Sequence, residues 1–237
     1  MTNLHIRGKL GMQVFELFAG LSSHLGNPFT VVVNDGEGDD PTYFNRLDEL
    51  FDYTIPVATS RGFQKQKAWE PQAIHKMFEA RMRGLALFRL KENNTYTPMD
   101  TIIHMRGKDK VVAEVGSYME TALQLASKKP PLWILSDDIK FSGAVATTLE
   151  LNKSLDQNIE FEVSQQNDID DWYSCLYAEE IWGCMSTFTL STLLLNPDKK
   201  IHIFGKKYNT GDYILVKENY DAVEALMEYC PNVKWID

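Results

Sequence analysis

Short runs of apolar and β-branched residues alternate along the chain with longer segments in which apolar residues recur every three or four positions. The first such pair is a predicted strand at 4–7, followed by a glycine-containing turn at 8–11 and a helix that ends near Gly26. The predicted buried stripe of that helix consists of Phe15, Leu17, Phe18, Leu21 and Leu25. Strands that alternate with helices in this way are typical of βαβ units, in which helices cover both faces of a parallel sheet. The pattern therefore predicts an α/β fold.

The same alternation continues to the end of the chain and divides it into two halves. Further strands are predicted at 29–33, 53–57, 101–105, 132–135, 159–163 and 200–204, and further helices at 44–51, 68–83, 115–127, 144–151, 169–181, 187–195 and 220–229. Residues 91–98 are polar, end in a proline and separate two apolar patterns, so we place a domain boundary there. The prediction is one Rossmann-like α/β/α domain at 1–98 and a second at 99–237, each with a mostly parallel sheet. The last helix is expected to pack back on the first domain.

Composition and charge narrow the class of protein. The 237 residues are 44% hydrophobic and 24% charged, as in ordinary globular domains. A formal net charge of −9 disfavours a protein that binds duplex DNA through a broad basic surface. The three cysteines lack the spacing of a zinc site, so we expect reduced thiols. The sequence has no apolar N-terminal segment and no run of about 18 apolar residues, and we expect a cytoplasmic protein without a transmembrane segment.

Several common enzyme motifs are absent from the sequence. No Gly-x-Gly-x-x-Gly follows a predicted strand, and no Gly-Lys pair is followed by Ser or Thr, which removes the main support for dehydrogenases and P-loop enzymes. The histidines form no His-Glu-x-x-His motif, and there is no Gly-x-Ser-x-Gly elbow of a hydrolase. No metal site is predicted.

Polar residues follow three predicted strands of the second half, where ligands bind in open α/β sheets. Arg106 directly follows the first of these strands, and its guanidinium could hold a diphosphate with two hydrogen bonds. The second strand is followed by carboxylates suited to a ribose or a base, and the third segment carries hydroxyl groups at a predicted helix start, which suits a phosphate. The segment after the second strand consists of Ser136, Asp137 and Asp138. The third segment consists of Ser186, Thr187, Phe188 and Thr189. Ordinary helix capping is the alternative interpretation of both.

These three segments resemble the motifs of the fucosyltransferase superfamily, which includes α1,2-, α1,6- and protein-O-fucosyltransferases. The stretch His104-x-Arg106-x-x-Asp109 is similar to the motif whose arginine binds the diphosphate of GDP-fucose, and Asp109-Lys-Val-x-x-Glu114 continues the likeness to the α1,6 branch. The segments at 136–138 and 186–189 resemble the second and third motifs of that family. The resemblance also implies donor-binding roles for Gly8, Gly11 and Gln13 in a glycine-rich opening segment, and for Asp171.

The resemblance implies a GT-B fold, in which two Rossmann-like domains face each other across a cleft. It further implies an inverting, metal-independent transfer of fucose or a related sugar from a nucleoside-diphosphate sugar, with a GDP-sugar favoured and no other cofactor. The acceptor would be a hydroxyl group of a glycan, a lipid-linked sugar or a protein.

The chemistry of such a transfer suggests roles for individual residues. The diphosphate leaving group gains charge during the reaction, and Arg106 can neutralise it. The acceptor hydroxyl needs a general base, for which Glu114 is the first candidate and His104 the second. Glu114 could instead be an ordinary charge in the first turn of a helix, and His104 could be a buried core histidine.

Two alternatives remain at this point. The same fold could use another nucleotide sugar to modify a hydroxylated nucleobase in DNA, if residues 61–67, Lys76, Arg81 and Arg83 form one basic face. The chain could also be a module that binds a nucleotide sugar or a glycan without catalysis.

Overall fold

The computed structural model describes residues 2–6, 8–24, 28–34, 45–60, 70–106, 115–154, 158–204 and 217–236. The chain forms two compact units. The first comprises Met1–Asn94, Leu190–Pro197 and Lys217–Tyr229, and the second comprises Thr95–Thr189, Asp198–Val216 and Cys230–Asp237. The chain therefore passes from one unit to the other more than once.

The first unit contains a parallel sheet of three strands in the order β1-β2-β4. These strands are β1 (Thr2–Ile6), β2 (Phe29–Asn34) and β4 (Val57–Ser60), and a separate antiparallel pair is formed by β3 (Phe51–Tyr53) and β5 (Phe88–Leu90). The helices of this unit are α1 (Leu10–Ser23), α2 (Leu47–Leu50), α3 (Pro71–Leu87) and, near the end of the chain, α8 (Lys217–Tyr229).

Close packing between α1 and α3 builds the core of the first unit. A Cβ atom at Gly84 of α3 would lie 2.7 Å from a ring carbon of Phe18 and 2.9 Å from Leu21, so only glycine allows this approach. On the same helix, Phe78 stacks on Tyr229 of α8 with ring centroids 4.8 Å apart, and the His75 Nδ1 and Tyr229 Oη atoms are 3.0 Å apart. The helix α8 thus belongs to the first unit although it lies between two strands of the second.

The second unit contains a sheet of six parallel strands. They are β6 (Thr101–Met105), β7 (Leu132–Ser136), β8 (Phe161–Val163), β9 (Glu180–Gly183), β10 (Lys200–Phe204) and β11 (Val233–Ile236), connected in part by α4 (Val115–Lys128), α5 (Ile139–Lys153), α6 (Asp168–Tyr177) and the single turn α7 (Thr187–Leu190). A 3₁₀ turn at Ser191–Leu194 follows α7. The predicted α/β class with mostly parallel sheets is confirmed.

The strand order of this sheet is β11-β10-β9-β6-β7-β8. The chain moves outward from β6 to β7 and β8, then returns to place β9 on the other side of β6. Counted from β6, this is the order 3-2-1-4-5-6 of a doubly wound Rossmann sheet. The direction of winding reverses between β6 and β9, and in such sheets ligands bind outside the carboxyl ends of the strands at this switch point.

Some predicted elements are wrong. The helix predicted at 169–181 ends at Tyr177, and its last residues form the strand β9 instead. Glu180 and Ile181 are buried in the middle of the sheet, and a strand that is covered on both faces lacks the alternation that identifies strands. The strands β5 and β11 were not predicted, and the single strand predicted at 53–57 is replaced by two strands, β3 and β4, that overlap it only at its two ends.

Among the helices in the described parts of the chain, none is long and apolar enough to cross a membrane.

Candidate functional site

The carboxyl ends of β6, β7 and β9 meet at one edge of the second unit. In the sheet register, Met105 pairs with Ser136 and His104 pairs with Gly183. The first residues beyond the three strands are therefore neighbours, namely Arg106, Asp137 and Cys184. The fold brings together the described parts of the three segments that the sequence singled out.

Arg106 lies at the end of β6, beside the switch point, with 20% of its side chain exposed. Its Nε atom is 3.9 Å from Oδ2 of Asp137, whose side chain is 33% exposed. A carboxylate thus lies beside the guanidinium, and part of the Arg106 side chain remains open to solvent. A planar guanidinium in this position can bind an anion with two parallel hydrogen bonds.

Gly183 allows the backbones of β6 and β9 to approach closely at the switch point. A Cβ atom at this position would lie 2.1 Å from the carbonyl oxygen of His104, a distance that no side chain tolerates. That oxygen also accepts a hydrogen bond of 3.3 Å from the backbone N–H of Cys184. Glycine is therefore required where the two strands of the switch point meet.

His104 is buried, with 8% of its surface exposed. Its ring lies 5.6 Å from that of Phe188, and its Nδ1 atom is 3.9 Å from Sγ of Cys184. Burial and, to a smaller extent, the charge of Arg106 lower the pKa of His104 to about 3. An imidazole that holds a proton so weakly is a poor general base near neutral pH. These surroundings favour the alternative of a buried core histidine.

The three polar residues that follow β7 have different roles in the structure: two stabilise the turn before α5, and one faces Arg106. Asp138 accepts a hydrogen bond of 2.8 Å from the backbone N–H of Lys140 and so caps α5. The Ser136 hydroxyl accepts from the backbone N–H of Asp138 and donates to its carbonyl oxygen, both at 3.0 Å. Ser136 and Asp138 therefore stabilise the turn, and Asp137 is the residue of the three that faces Arg106.

The side chains that follow β9 are more buried than those of a phosphate-binding site need to be. Ser186 and Thr189 are 4% and 1% exposed, and Thr187 and Phe188 are half-buried. The Ser186 hydroxyl accepts a hydrogen bond of 3.3 Å from the backbone N–H of Phe188, and Thr189 donates to the Ser186 carbonyl. The predicted helix through 195 is a single α-turn followed by a 3₁₀ turn, so its macrodipole is small.

Asp171 lies in α6, close to the carboxyl end of β8. It accepts hydrogen bonds from the Ser164 hydroxyl at 2.5 Å and from the Gln166 amide at 3.3 Å. The pKa of Asp171 is raised to about 6, chiefly by burial and to a smaller extent by the nearby carboxylates Asp168 and Asp170, despite these hydrogen bonds. Carboxylates with perturbed pKa values are frequent at functional sites, although they also occur in structural networks.

The glycine-rich opening segment forms its own cluster in the first unit. Gly8 has a φ of +88°, in the left-handed region that favours glycine. Gln13 is fully buried; its amide donates to the carbonyl of Gly8 at 2.8 Å and accepts from the backbone N–H of Arg46 at 3.1 Å. Gly11 is buried in α1. These contacts give Gln13 a structural role in holding the turn before α1.

The remaining predicted residues either lie outside the described part of the chain or make contacts within the first unit. Asp109 and Glu114 lie outside the described residues, as does the segment 61–67 of the predicted basic face. Arg81 of that face donates to the carbonyl oxygens of Leu194 and Leu195 at 2.6 and 3.0 Å. Its guanidinium therefore serves a structural role within the first unit. In the described part of the chain, no group of three or more His, Cys, Asp or Glu side chains is placed to hold a metal ion.

One residue near the strand ends was not singled out from the sequence. Tyr118, in the first turn of α4, is fully buried and packs edge-on against Phe204 with ring centroids 4.9 Å apart. The sequence signal was only a tyrosine in the apolar stripe of a helix, which is typical of any core position.

No family model and no curated protein matches the sequence. A crystal structure of TarM matches the chain with 11% sequence identity and a TM-score of 0.30. The match covers 88% of this chain and 47% of the TarM chain, so the present chain spans about half the length of that structure. A likeness of this size carries no argument about fold or function.

Proposed function

We propose that the protein is a glycosyltransferase that takes its sugar from a nucleoside-diphosphate sugar. The observation that carries this proposal is the position of Arg106, a partly exposed arginine at the end of β6, beside the switch point of a doubly wound sheet. The fold places ligands at that point, and the guanidinium is suited to a diphosphate. The resemblance of 104–109, 136–138 and 186–189 to fucosyltransferase motifs supports transfer of sugar rather than another use of the nucleotide.

Arg106 would neutralise the charge that develops on the diphosphate as the bond to the sugar breaks. Asp137 would orient the guanidinium through their contact of 3.9 Å and could accept hydrogen bonds from hydroxyl groups of the nucleotide. Attack by the acceptor hydroxyl from the opposite side of the anomeric carbon would invert its configuration. Glu114 is proposed as the base that takes the proton of that hydroxyl, on the basis of sequence alone.

The donor that we favour is a GDP-sugar carrying fucose or a related deoxyhexose, because the resemblance is to enzymes that use GDP-fucose. The acceptor would be a hydroxyl group of a glycan, a lipid-linked sugar or a protein. A role on DNA is not proposed, since the described Arg81 is engaged by backbone carbonyls and the net charge is −9.

Nucleotide binding is tested by titrating GDP, UDP, ADP and CDP into the wild type and the variants Arg106→Ala and Arg106→Lys. We expect GDP to bind best and both variants to bind it about 10- to 100-fold more weakly, because a hydrogen bond to a charged group contributes about 1.5–3 kcal/mol. The matched control is Arg89→Ala, which removes an exposed arginine of the first unit and should leave the affinity unchanged. Equal GDP affinity in the Arg106 variants would remove this residue from the site.

Catalysis is tested separately by measuring the release of GDP from GDP-fucose with and without added glycans. We expect release that depends on Arg106 and persists in EDTA. A protein that binds GDP tightly but never releases it from the donor sugar would be the non-catalytic binding module. Activity that is lost in EDTA and restored by Mn²⁺ would contradict the metal-independent mechanism.

A further inference from the structure

A cleft of about 540 Å³ opens on the first unit, beside α2, β3 and β4. Val57 and Ala58 are the first two residues of β4, so the cleft borders the amino-terminal half of that strand. The candidate site lies at the carboxyl ends of strands in the second unit, and none of its described residues lines the cleft. The lining residues are Asn45, Asp48, Phe51, Asp52, Tyr53, Val57, Ala58 and Lys91.

The carboxylate of Asp48 is a fixed polar group in this cleft. Its Oδ1 atom accepts hydrogen bonds from the Asn45 amide at 2.7 Å and from the Tyr53 hydroxyl at 3.1 Å. Burial and the Asp48 carboxylate raise the pKa of Tyr53 well above its ordinary value, so the phenol keeps the proton that it donates. Asp48 is exposed, and its Oδ2 atom accepts no hydrogen bond from the described residues. One oxygen therefore holds the carboxylate in place, and the other can accept a hydrogen bond from a ligand.

Lys91 places a positive charge beside the two carboxylates of the cleft. Its backbone N–H donates to the carbonyl oxygen of Leu50 at 2.8 Å, and its ammonium group donates to the carbonyl oxygen of Asp48. The Nζ atom is 3.9 Å from Oδ1 of Asp52, whose side chain is 67% exposed. Lys91 thus reduces the repulsion between Asp48 and Asp52, and the lining keeps an excess of one negative charge.

The rest of the lining is apolar or aromatic. Phe51 is fully buried, and Val57 and Tyr53 are half-buried. The Tyr53 ring is held edge-on against Phe88 with ring centroids 5.8 Å apart. A tyrosine in such a position offers an apolar ring and a polar hydroxyl to the same ligand.

This combination of groups selects among classes of ligand. The excess of negative charge disfavours a phosphate or another anion, and the many polar groups disfavour a purely apolar molecule. A neutral sugar has hydroxyl groups that donate and accept around an apolar carbon ring, which matches the division of the lining. The volume lies within the range of about 300–1,000 Å³ that is usual for small-molecule sites.

We propose that this cleft binds a neutral sugar, whose hydroxyl groups donate hydrogen bonds to Asp48 and Asp52 and whose apolar side lies against Tyr53 and Val57. The inference goes beyond the proposed function and does not depend on it, because Arg106 belongs to the other unit. In a glycosyltransferase this would be a second carbohydrate site, for a sugar other than the one that is transferred.

The test measures, by calorimetry on the full chain, the binding of neutral disaccharides that contain glucose, galactose, mannose, fucose or N-acetylglucosamine. Spermidine and inorganic phosphate are the cationic and anionic probes. We expect at least one disaccharide to bind, to protect residues 45–58 and 88–91 from hydrogen exchange, and to bind at least about tenfold more weakly to Asp48→Asn and Asp52→Ala. The matched control is Glu49→Ala, which removes an exposed carboxylate of α2 that does not line the cleft and should keep the wild-type affinity.

Urea unfolding checks that the variants are folded, and Asp52→Ala, at an exposed position, should unfold as the wild type does. Equal sugar affinity in the wild type, Asp48→Asn and Asp52→Ala would refute the inference, as would a wild type that binds none of the disaccharides. Binding of spermidine that depends on Asp52, without binding of a sugar, would also refute it, because the cleft would then take cations.

The outcomes for this cleft and for the proposed function are separate. Arg106→Ala should lose GDP affinity and keep the affinity for the disaccharide. A wild type that binds a disaccharide through Asp48 and Asp52 but binds no nucleotide would support this inference and contradict the proposed function. Binding of GDP through Arg106 without binding of a disaccharide would do the reverse.

Discussion

The raised pKa of Asp171 makes the stability of the second unit depend on pH in a way that one substitution removes. Burial raises this pKa from 3.8 to about 6, so the folded protein holds the proton more tightly than the unfolded chain. The contribution to stability is full below pH 4 and is lost as the pH rises through about 6. A change of two pKa units at about 1.4 kcal/mol per unit corresponds to about 3 kcal/mol. Because the side chain is not fully buried, we expect about 1–3 kcal/mol.

The substitution Asp171→Asn isolates this effect. The amide oxygen of asparagine can still accept hydrogen bonds from Ser164 and Gln166, and no charge has to be buried at neutral pH. The difference in unfolding free energy between variant and wild type should therefore grow by about 1–3 kcal/mol in favour of the variant between pH 4 and pH 7.5. Titrating groups that do not interact with Asp171 are common to both proteins and cancel in this difference.

Urea unfolding at a series of pH values, followed by tryptophan fluorescence, measures this difference. Trp172, next to Asp171, is fully buried and its emission should report on unfolding of this region. The matched control is Glu162→Gln, which neutralises an exposed carboxylate of the neighbouring strand β8 and should follow the wild-type pH profile. If Asp171→Asn and the wild type differ by the same amount at pH 4 and pH 7.5, the buried carboxylate does not titrate as the structure implies.

Two further predictions concern the switch point and the chemistry. Gly183→Ala should lower the unfolding free energy by about 3 kcal/mol, because its Cβ would lie 2.1 Å from the His104 carbonyl oxygen. Gly143→Ala in α5, where a Cβ meets nothing within 4 Å, should raise it by about 1 kcal/mol; equal effects in urea unfolding would refute the close approach. Glu114→Gln should keep the GDP affinity of the wild type and lower the rate of sugar transfer roughly 10²- to 10⁴-fold; near-normal turnover would show that Glu114 is not the base.

The parts of the fold that could be predicted are those that local periodicity determines. The bounds of β6 were predicted without error, and α4 differs from its prediction by a single residue, because strands bounded by polar segments and amphipathic helices leave clear patterns. The pattern failed at 169–181, where aromatic residues at helical spacing continue directly into the buried strand β9. Burial on both faces removes the alternation that would have separated the two elements.

Local sequence patterns do not determine the order of the strands in a sheet. That order is what places Arg106 beside the switch point, at the candidate site. The rule that ligands bind beyond the carboxyl ends of strands selected three segments from the sequence alone. It did not show that β9 returns to lie beside β6, because that pairing depends on contacts between distant parts of the chain. Gly183, which permits this pairing, had the appearance of an ordinary turn residue in the sequence.

The same limit applies to individual side chains, where the sequence identifies a residue type but not whether its polar atoms have partners. Ser136, Asp137 and Asp138 are consecutive polar residues, yet in the fold two of them hold the turn and one faces Arg106. Tyr118 occupies a helix position that any large apolar residue could fill, and only the packed structure shows that it is fully buried against Phe204 at the end of β10. The sequence therefore identifies polar residue types, and the packed structure decides which of them cap a helix and which face the candidate site.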